Sequence, residues 1–284
     1  MDFTTFLMLL QWRRGYCKIG KKEVFGMNII KSSALYFSPT GGTKKIAEHI
    51  ASGLCDAAEF LDVTSSGREL AFGPEDFVVI AVPVFGGRVP SPTAERLSHV
   101  RAEGTPAAIV AVYGNRAYED ALLELRGLAE ERGFKVMAAA AFIARHSIAP
   151  EFGAGRPDAA DFLKMDEFVR RIRERLDYAA STGSLPTAIV PGNLVFRKYD
   201  GVPLHPAASR IKCGKCGKCA AECPVGAIPA SDPTKTDKDK CITCMRCVAV
   251  CPHFARSLNP VMLAAAKAGL KKSCSERKEP ELFL

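Results

Sequence analysis

Eight of the eleven cysteines in this chain of 284 residues fall between Cys213 and Cys251, in two runs of identical spacing. Cys213, Cys216, Cys219 and Cys223 precede Pro224 as C-x2-C-x2-C-x3-C-P, and Cys241, Cys244, Cys247 and Cys251 precede Pro252 in the same way. Disulfide scaffolds spread their cysteines over a small secreted chain, whereas this density in a longer one indicates metal and a reducing compartment. Three closely spaced cysteines wrap three corners of a [4Fe–4S] cube. The fourth, carried away by the proline turn, reaches the cube of the other run. Cluster I is therefore assigned to Cys213, Cys216, Cys219 and Cys251, and cluster II to Cys241, Cys244, Cys247 and Cys223. Zinc is the alternative, but a four-cysteine zinc site takes two separated C-x2-C pairs and has no use for a third cysteine three positions on. Clusters without electron traffic are a second alternative, though two crossed clusters make more sense as a wire.

The cysteine runs resemble bacterial-type two-cluster ferredoxins, whose small α+β domain is expected over residues 205–258. Such domains are usually acidic and this one is basic. Residues 184–284 carry sixteen Lys/Arg against eight acids, out of a net charge of +8 for the whole chain. A basic region suggests nucleic acid. However, Lys212, Lys215, Lys218, Lys240 and Arg246 sit among the cysteines, where each anionic cluster with its thiolates offsets about two charges. No nucleic-acid partner is expected.

Ahead of the cysteines the pattern changes. From residue 33 to about 180, short apolar runs alternate with helical periodicity. Ala34–Phe37, Ala58–Val63, Phe77–Val82, Pro106–Tyr113 and Phe134–Ile143 read as strands. Ile46, Ala47, Ile50 and Leu54 form one helical face, and Ala121, Leu122, Leu125, Leu128 and Ala129 another that stops at Gly133. A long, charged helix is expected over 158–180. Strands alternating with helices imply a doubly wound α/β domain, its parallel sheet covered on both faces. Residues 27–183 are assigned to it, residues 184–204, with their prolines and glycines, to a linker, and residues 259–284 to a short helix started by Asn259 and Pro260 with a charged tail. Residues 1–26 match neither half and read as an extension or an upstream-start artefact.

Three segments lie at the carboxyl ends of expected strands, where open α/β sheets bind their ligands. Ser38, Pro39, Thr40, Gly41, Gly42 and Thr43 join the first strand to the first helix, and hydroxyls with free N–H groups at a helix N-terminus suit a phosphate. There is no Walker-type loop and no G-x-G-x-x-G, so neither a nucleoside triphosphate nor a dinucleotide is favoured. Pro83, Val84, Phe85, Gly86, Gly87 and Arg88 follow the third strand; Tyr113, Gly114, Asn115, Arg116 and Tyr118 follow the fourth. Glycines let backbone approach a flat ring, Phe85 and the tyrosines can stack on it, and Arg88 and Arg116 can stabilise it when reduced and anionic. Each also has a plainer role open to it: capping for the first loop, core packing for Phe85 and Tyr113, a solvated surface for the arginines. His146 follows the fifth strand, and Cys55 reads as an ordinary buried thiol; Cys17 and Cys274 suggest no function.

The three loops resemble those that hold FMN in flavodoxin, and the resemblance covers residues 33 to about 180. It implies a flavodoxin-like, doubly wound, five-stranded parallel sheet. An SPTGGT loop and a PVFGGRVP loop joined to a two-cluster ferredoxin resemble the flavodoxin–ferredoxin fusion family of anaerobic prokaryotes, as does the Glu276–Glu281 tail. The resemblance implies redox work with FMN and two [4Fe–4S] clusters as cofactors and a redox protein as partner, a second copy of the chain being a further candidate. An electron-transfer flavoprotein is the first reading. An FMN-dependent reductase of a small organic acceptor is the alternative, and a redox or oxygen sensor a third. No residue stands out as a catalytic acid. With no apolar run near the roughly 18–20 residues of a membrane span, and Arg13 and Arg14 following the early apolar stretch where a signal peptide places its charges first, a cytoplasmic location without a membrane span is expected.

Overall fold

The structure, a computed structural model, describes Ile29 and residues 31–284. The N-terminal extension, Trp12 and Cys17 lie outside the described residues. The first unit is built on β1 (Lys31–Tyr36), α1 (Gly42–Leu54), β2 (Glu59–Asp62), β3 (Leu70–Phe72), β4 (Asp76–Pro83), α2 (Ser91–Leu97), β5 (Val100–Ala102), β6 (Pro106–Tyr113), α3 (Ala121–Glu131), β7 (Lys135–Ile143) and α4 (Ala159–Thr182). β2, β1, β4, β6 and β7 pair side by side and in parallel, so the five expected strands are all present. Counted among themselves they run 2-1-3-4-5, the flavodoxin-like order with its switch point beside the first strand.

The uninterrupted apolar runs are explained by burial on both faces: every residue of β6 is buried, as are the six inner residues of β4. One face packs Ile46, Ala47 and Ile50 of α1 and Met165, Phe168 and Ile172 of α4 against Ala34, Val79 and Val110. The other packs Leu97 of α2 and Leu122, Leu125 and Ala129 of α3 against Leu35, Ile80 and Ile109. β3 and β5 form a separate two-stranded parallel sheet that the sequence pattern does not announce. α4 starts on a capping box, the Asp158 carboxylate accepting from the N–H groups of Ala160 and Asp161 at 3.0 and 3.2 Å. Among the described residues no helix is long and apolar enough to cross a membrane.

After α4 the chain crosses the linker into a second unit of short elements: β8 (Ala207–Ala208), α5 (Lys218–Ala221), α6 (Arg246–Ala249) and β9 (Arg256–Ser257), with β8 and β9 antiparallel. α7 (Pro260–Cys274) follows, capped as expected by the Asn259 side chain. The units are joined by an apolar cluster of Leu204, Met245 and Leu258 that also takes in Ile148 and Leu263. Two arginines also cross the boundary. Arg96 of α2, almost fully buried, donates to the Pro224 carbonyl at 2.6 Å, and Arg246 of α6 donates to the Pro39 carbonyl at 3.2 Å.

The last residues are more than a charged tail. β10 (Glu281–Phe283) pairs antiparallel with β7, placing Glu281, Leu282 and Phe283 opposite Ala141, Ala140 and Ala139, and makes the sheet six-stranded. Leu282 packs on the α1/α4 face and Phe283 on the other, as strand alternation requires. Three polar groups hold the approach to this strand. The buried Asn115 amide donates to the carbonyls of Cys274 and Glu276 at 2.7 and 2.8 Å and accepts from Lys278 N at 3.3 Å. Arg156 donates to the Lys278 carbonyl at 3.0 Å. Arg277 pairs with Asp158 at 2.7 Å. Asn115→Ala strands the buried acceptors, and a buried group left without its partner costs about 1–3 kcal/mol. We expect a lower urea midpoint by that measure, with Arg277→Ala, at an exposed pair, changing it far less.

Candidate functional site

The backbone turns at the carboxyl ends of β1, β4 and β6 bring the three expected loops together around one cavity of about 400 Å³. Ser38, Pro39, Thr40, Gly42 and Thr43 line it from the first loop. Pro83, Val84, Phe85 and Gly86 line it from the second, and Tyr113, Gly114 and Arg116 from the third. In the first loop Gly41 stands at φ +89° as the N-cap of α1, with no cap from its own side chain and no acid in the first turn, so that among the described residues Ser38 alone takes up a first-turn N–H, that of Lys44. The helix N-terminus therefore keeps its positive end for a ligand. Ser38 Oγ accepts from Lys44 N at 2.9 Å, and Ser38 N donates to Thr64 Oγ1 at 2.7 Å, which fixes the loop from both sides.

The second loop is a tight hairpin: Phe85 and Arg88 exchange backbone hydrogen bonds of 3.0 and 3.1 Å. Gly86 and Gly87 between them have φ of +59° and +86°, which a two-residue turn of the primed type requires and glycine adopts freely. Gly86 has a second reason to be glycine. A Cβ there would stand 2.1 Å from the ring of Tyr199, a linker residue that lies on the turn and lines the cavity.

Five of the expected cofactor-binding residues do not line the cavity. Gly41 and Gly87 shape their turns. Arg88 is held by Glu124 through two contacts of 2.7 Å and lies over Phe196 of the linker. Asn115 pins the chain before β10, as above, and Tyr118 donates to the Glu281 carboxylate at 2.9 Å. Their positions follow from the returning tail and the linker, both of which take up side chains that a bare α/β unit would leave facing solvent. Tyr113 is a cavity wall and a core residue at once, buried and meeting Tyr118 edge-on at 5.5 Å. Burial pushes its hydroxyl up to about 12, so it presents a neutral ring. Arg116 lines the cavity but is forked onto Glu119 at 2.9 and 3.0 Å.

The rest of the wall comes from residues that the loop pattern does not reveal. Arg145, His146, Ser147 and Ile148 follow β7; Tyr199, Val202 and Leu204 belong to the linker and the start of the second unit; Ile242, Thr243 and Cys244 come from the cysteine-rich unit; Ala266, Gly269 and Leu270 come from α7. Of these, only Cys244 carries a local motif, and only His146 is singled out by its place after a strand. His146 Nδ1 accepts from Ile148 N and Ala149 N, both at 3.2 Å, so its ring proton sits on Nε2.

The cysteines form two separate sets. One small cavity is lined by Cys213, Cys216, Cys219 and Cys251, and another by Cys223, Cys241, Cys244 and Cys247, the crossed sets expected from the spacing. Among the described residues no three His, Cys, Asp or Glu side chains are spaced to hold a single metal ion. The thiols instead surround a hollow, which suits a group larger than one ion. Backbone N–H groups of Ala227 and Ala255 point at Cys223 Sγ and Cys251 Sγ at 3.3 Å, the kind of bond that stabilises a thiolate. Burial pushes the Cys244 thiol up to about 12 and Cys247 up to about 11; ligation by iron removes that proton. Of the cysteines outside these runs, Cys55 is buried at the end of α1, as expected. Cys274 is buried too, its carbonyl held by Asn115.

A model of the 4Fe-4S dicluster domain family matches residues 212–255. Among curated proteins, none matches this chain. Solved structures similar to it include a flavodoxin from the domain Archaea, 16% identical with a TM-score of 0.37, covering 52% of this chain and 99% of its own. Flavodoxin 1 from Bacillus cereus is 16% identical with a TM-score of 0.36, covering 51% and 99%. Rubredoxin oxygen:oxidoreductase from Desulfovibrio gigas is 14% identical with a TM-score of 0.37, covering 62% and 41%. The strand order, and not these distant likenesses, establishes the α/β fold.

His146 supplies a pH test of the cavity. Burial, with Arg116 second, holds its pKa below the ordinary value. As pH falls below about 6.5 the unfolded chain takes up a proton that the native imidazole refuses, so stability falls until the native pKa is reached. Urea midpoints measured at neutral pH and about one unit below 6.5 should differ less in His146→Gln than in the wild type.

Residues 212–255 thus match the 4Fe–4S dicluster domain family and follow a flavodoxin-like α/β unit, an order of domains consistent with a flavodoxin–ferredoxin fusion.

Proposed function

We propose that this chain is an electron-transfer flavoprotein that binds FMN in the interdomain cavity and two [4Fe–4S] clusters in the two thiol-lined hollows, and passes electrons to or from a redox partner. The observation that carries the reading is the position of Cys244. It lines the cavity of the three flavodoxin-like loops and, on its other side, the hollow of the second cysteine set. The segment Ile242–Cys244 is thus common to both walls, and Cys244 is the cysteine within it. FMN when bound exchanges one or two electrons and the clusters exchange one each, so the chain's own contribution is binding, spacing and tuning.

The residues fit that division. Ser38, Thr40 and Thr43, with the open end of α1, suit the phosphate. Phe85, the Gly86 turn and Tyr113 offer flat walls for the ring, and Tyr199 adds an aromatic from the linker. The Nε2–H of His146 is a hydrogen-bond donor on the same wall. Arg116, shared with Glu119, provides a muted positive charge. A reductase of a small organic acceptor needs free space above the ring. Here the linker, Ile242–Cys244 and α7 complete the wall, which favours transfer through the protein over chemistry on a diffusing substrate.

Anaerobic purification followed by flavin and iron analysis on one sample should give about one FMN and about eight iron atoms per chain, the content of two cubane sites. Cys216→Ala should lower the iron content and leave FMN binding intact, because Cys216 lines only the hollow remote from the flavin cavity. Iron without FMN, after attempted reconstitution with the flavin, would remove the flavin half of the proposal.

A further inference from the structure

Three features converge on the first cysteine set. Of its ligands, Cys216 is exposed, whereas Cys244 and Cys247 of the second set are buried. The shortest way between the metal sites and solvent therefore lies at Cys216. Close in sequence to its fellow ligands Cys213 and Cys251 stand two highly exposed large apolar side chains, Ile211 at 98% and Phe254 at 83% of full accessibility. The loops that carry them are tied together, since Ser209 N donates to the Ala255 carbonyl at 2.8 Å and Cys213 N to the Ser209 carbonyl at 3.0 Å. Gly214 also packs close to the His253 ring, where an added Cβ would stand 3.0 Å from Nε2. Phe254 has φ of +49°, a conformation that an aromatic residue rarely adopts and that here keeps its ring outside the core.

Exposed charge follows the same segment of chain. Arg210, Lys212, Lys215 and Lys218 are all exposed and lie within a stretch in which Glu222 is the nearest acid. Glu222 is itself paired with Arg246. Among the described residues none of the four cations takes part in an ion pair, whereas the exposed Arg170 of the α/β unit pairs with Glu174. Unpaired cations around an exposed apolar centre form an interface pattern: the apolar residues give contact area and the charges select and steer the partner.

We propose that this face, Ile211 and Phe254 ringed by Arg210, Lys212, Lys215 and Lys218, docks an acidic electron-carrier protein against cluster I. The inference rests on the electron-transfer reading and adds the partner's chemistry and the place of exchange. A protein is favoured over nucleic acid or an anionic membrane because the cations surround a metal site's exposed thiol, and only a partner with its own redox centre makes use of that position. The partner's face should carry carboxylates around an apolar patch. One electron moves at each encounter, leaving the donor oxidised and the acceptor reduced by one, with no proton or bond transferred.

The test uses the holoprotein and a purified acidic bacterial two-cluster ferredoxin as probe, with binding measured by calorimetry at ionic strengths of about 0.01 M and about 0.15 M. Binding should be tighter at the lower strength. Lys212→Glu with Lys215→Glu should weaken it about tenfold or more, a difference that long-range charge reversal readily supplies. Ile211→Ser with Phe254→Ser should weaken it at both ionic strengths. Lys271→Glu with Lys272→Glu, on α7, should leave it unchanged. Iron content and iron–sulfur absorbance are measured on each variant, and the Ile211/Phe254 pair retains every charge next to the ligands. If the wild type holds no iron, the electron-transfer reading fails. If it holds iron and does not bind the probe, or binds it equally in all variants, the docking proposal fails alone. Salt-sensitive binding to duplex DNA or anionic vesicles without binding of the probe also overturns it.

Discussion

The backbone ladder between β10 and β7 governs how the two halves of this chain relate. The α/β unit sends the chain out at the end of α4 and takes it back as an edge strand of its own sheet. The cysteine-rich unit is therefore held at both ends by one scaffold. A long flexible linker alone would leave the second unit free to sample many orientations. Here Asn115 and Arg156 secure the returning chain through main-chain carbonyls, which makes the attachment depend on backbone position and little on the side chains of the tail.

Once both ends are fixed, the linker becomes part of the site. Asp120, buried at the N-cap of α3, accepts from the N–H groups of Asn193 and Arg197 at 3.0 and 2.8 Å. Arg197 also reaches Glu119, which in turn holds Arg116 on the cavity wall. Tyr199 then falls on the Gly86 turn. A chain of short polar contacts thus links the linker's path to the shape of the three loops at the sheet's carboxyl edge. The same geometry places Cys244 between the interdomain cavity and the second thiol-lined hollow.

Much of this was legible in the sequence because the signals are local. Five apolar runs mark the five parallel strands, four of them buried and β2 at the exposed edge, and a glycine-containing turn follows β1, β4 and β6. The crossed cysteine sets follow from spacing alone. Other features carry no local signature. The short edge strand Glu281–Phe283 follows a charged stretch, and three residues are too few to show a period. Tyr199 lies in an irregular segment, and nothing near it indicates that its ring covers a glycine turn. Arg88 and Tyr118 resemble flavin-facing residues by position, yet Glu124 and Glu281, distant in sequence, claim them.

The sequence by itself determined the layers, the strand count of the parallel sheet, the converging loops and the two groupings of cysteines, because periodicity and spacing act over a few residues. Only the tertiary structure decided which loop side chains face the cavity, how the tail closes the sheet and which thiol-lined hollow adjoins the cavity. Those outcomes rest on contacts between residues more than a hundred positions apart, such as Arg246 with Pro39 and Arg96 with Pro224. No local pattern encodes such contacts; they form only when both units are packed.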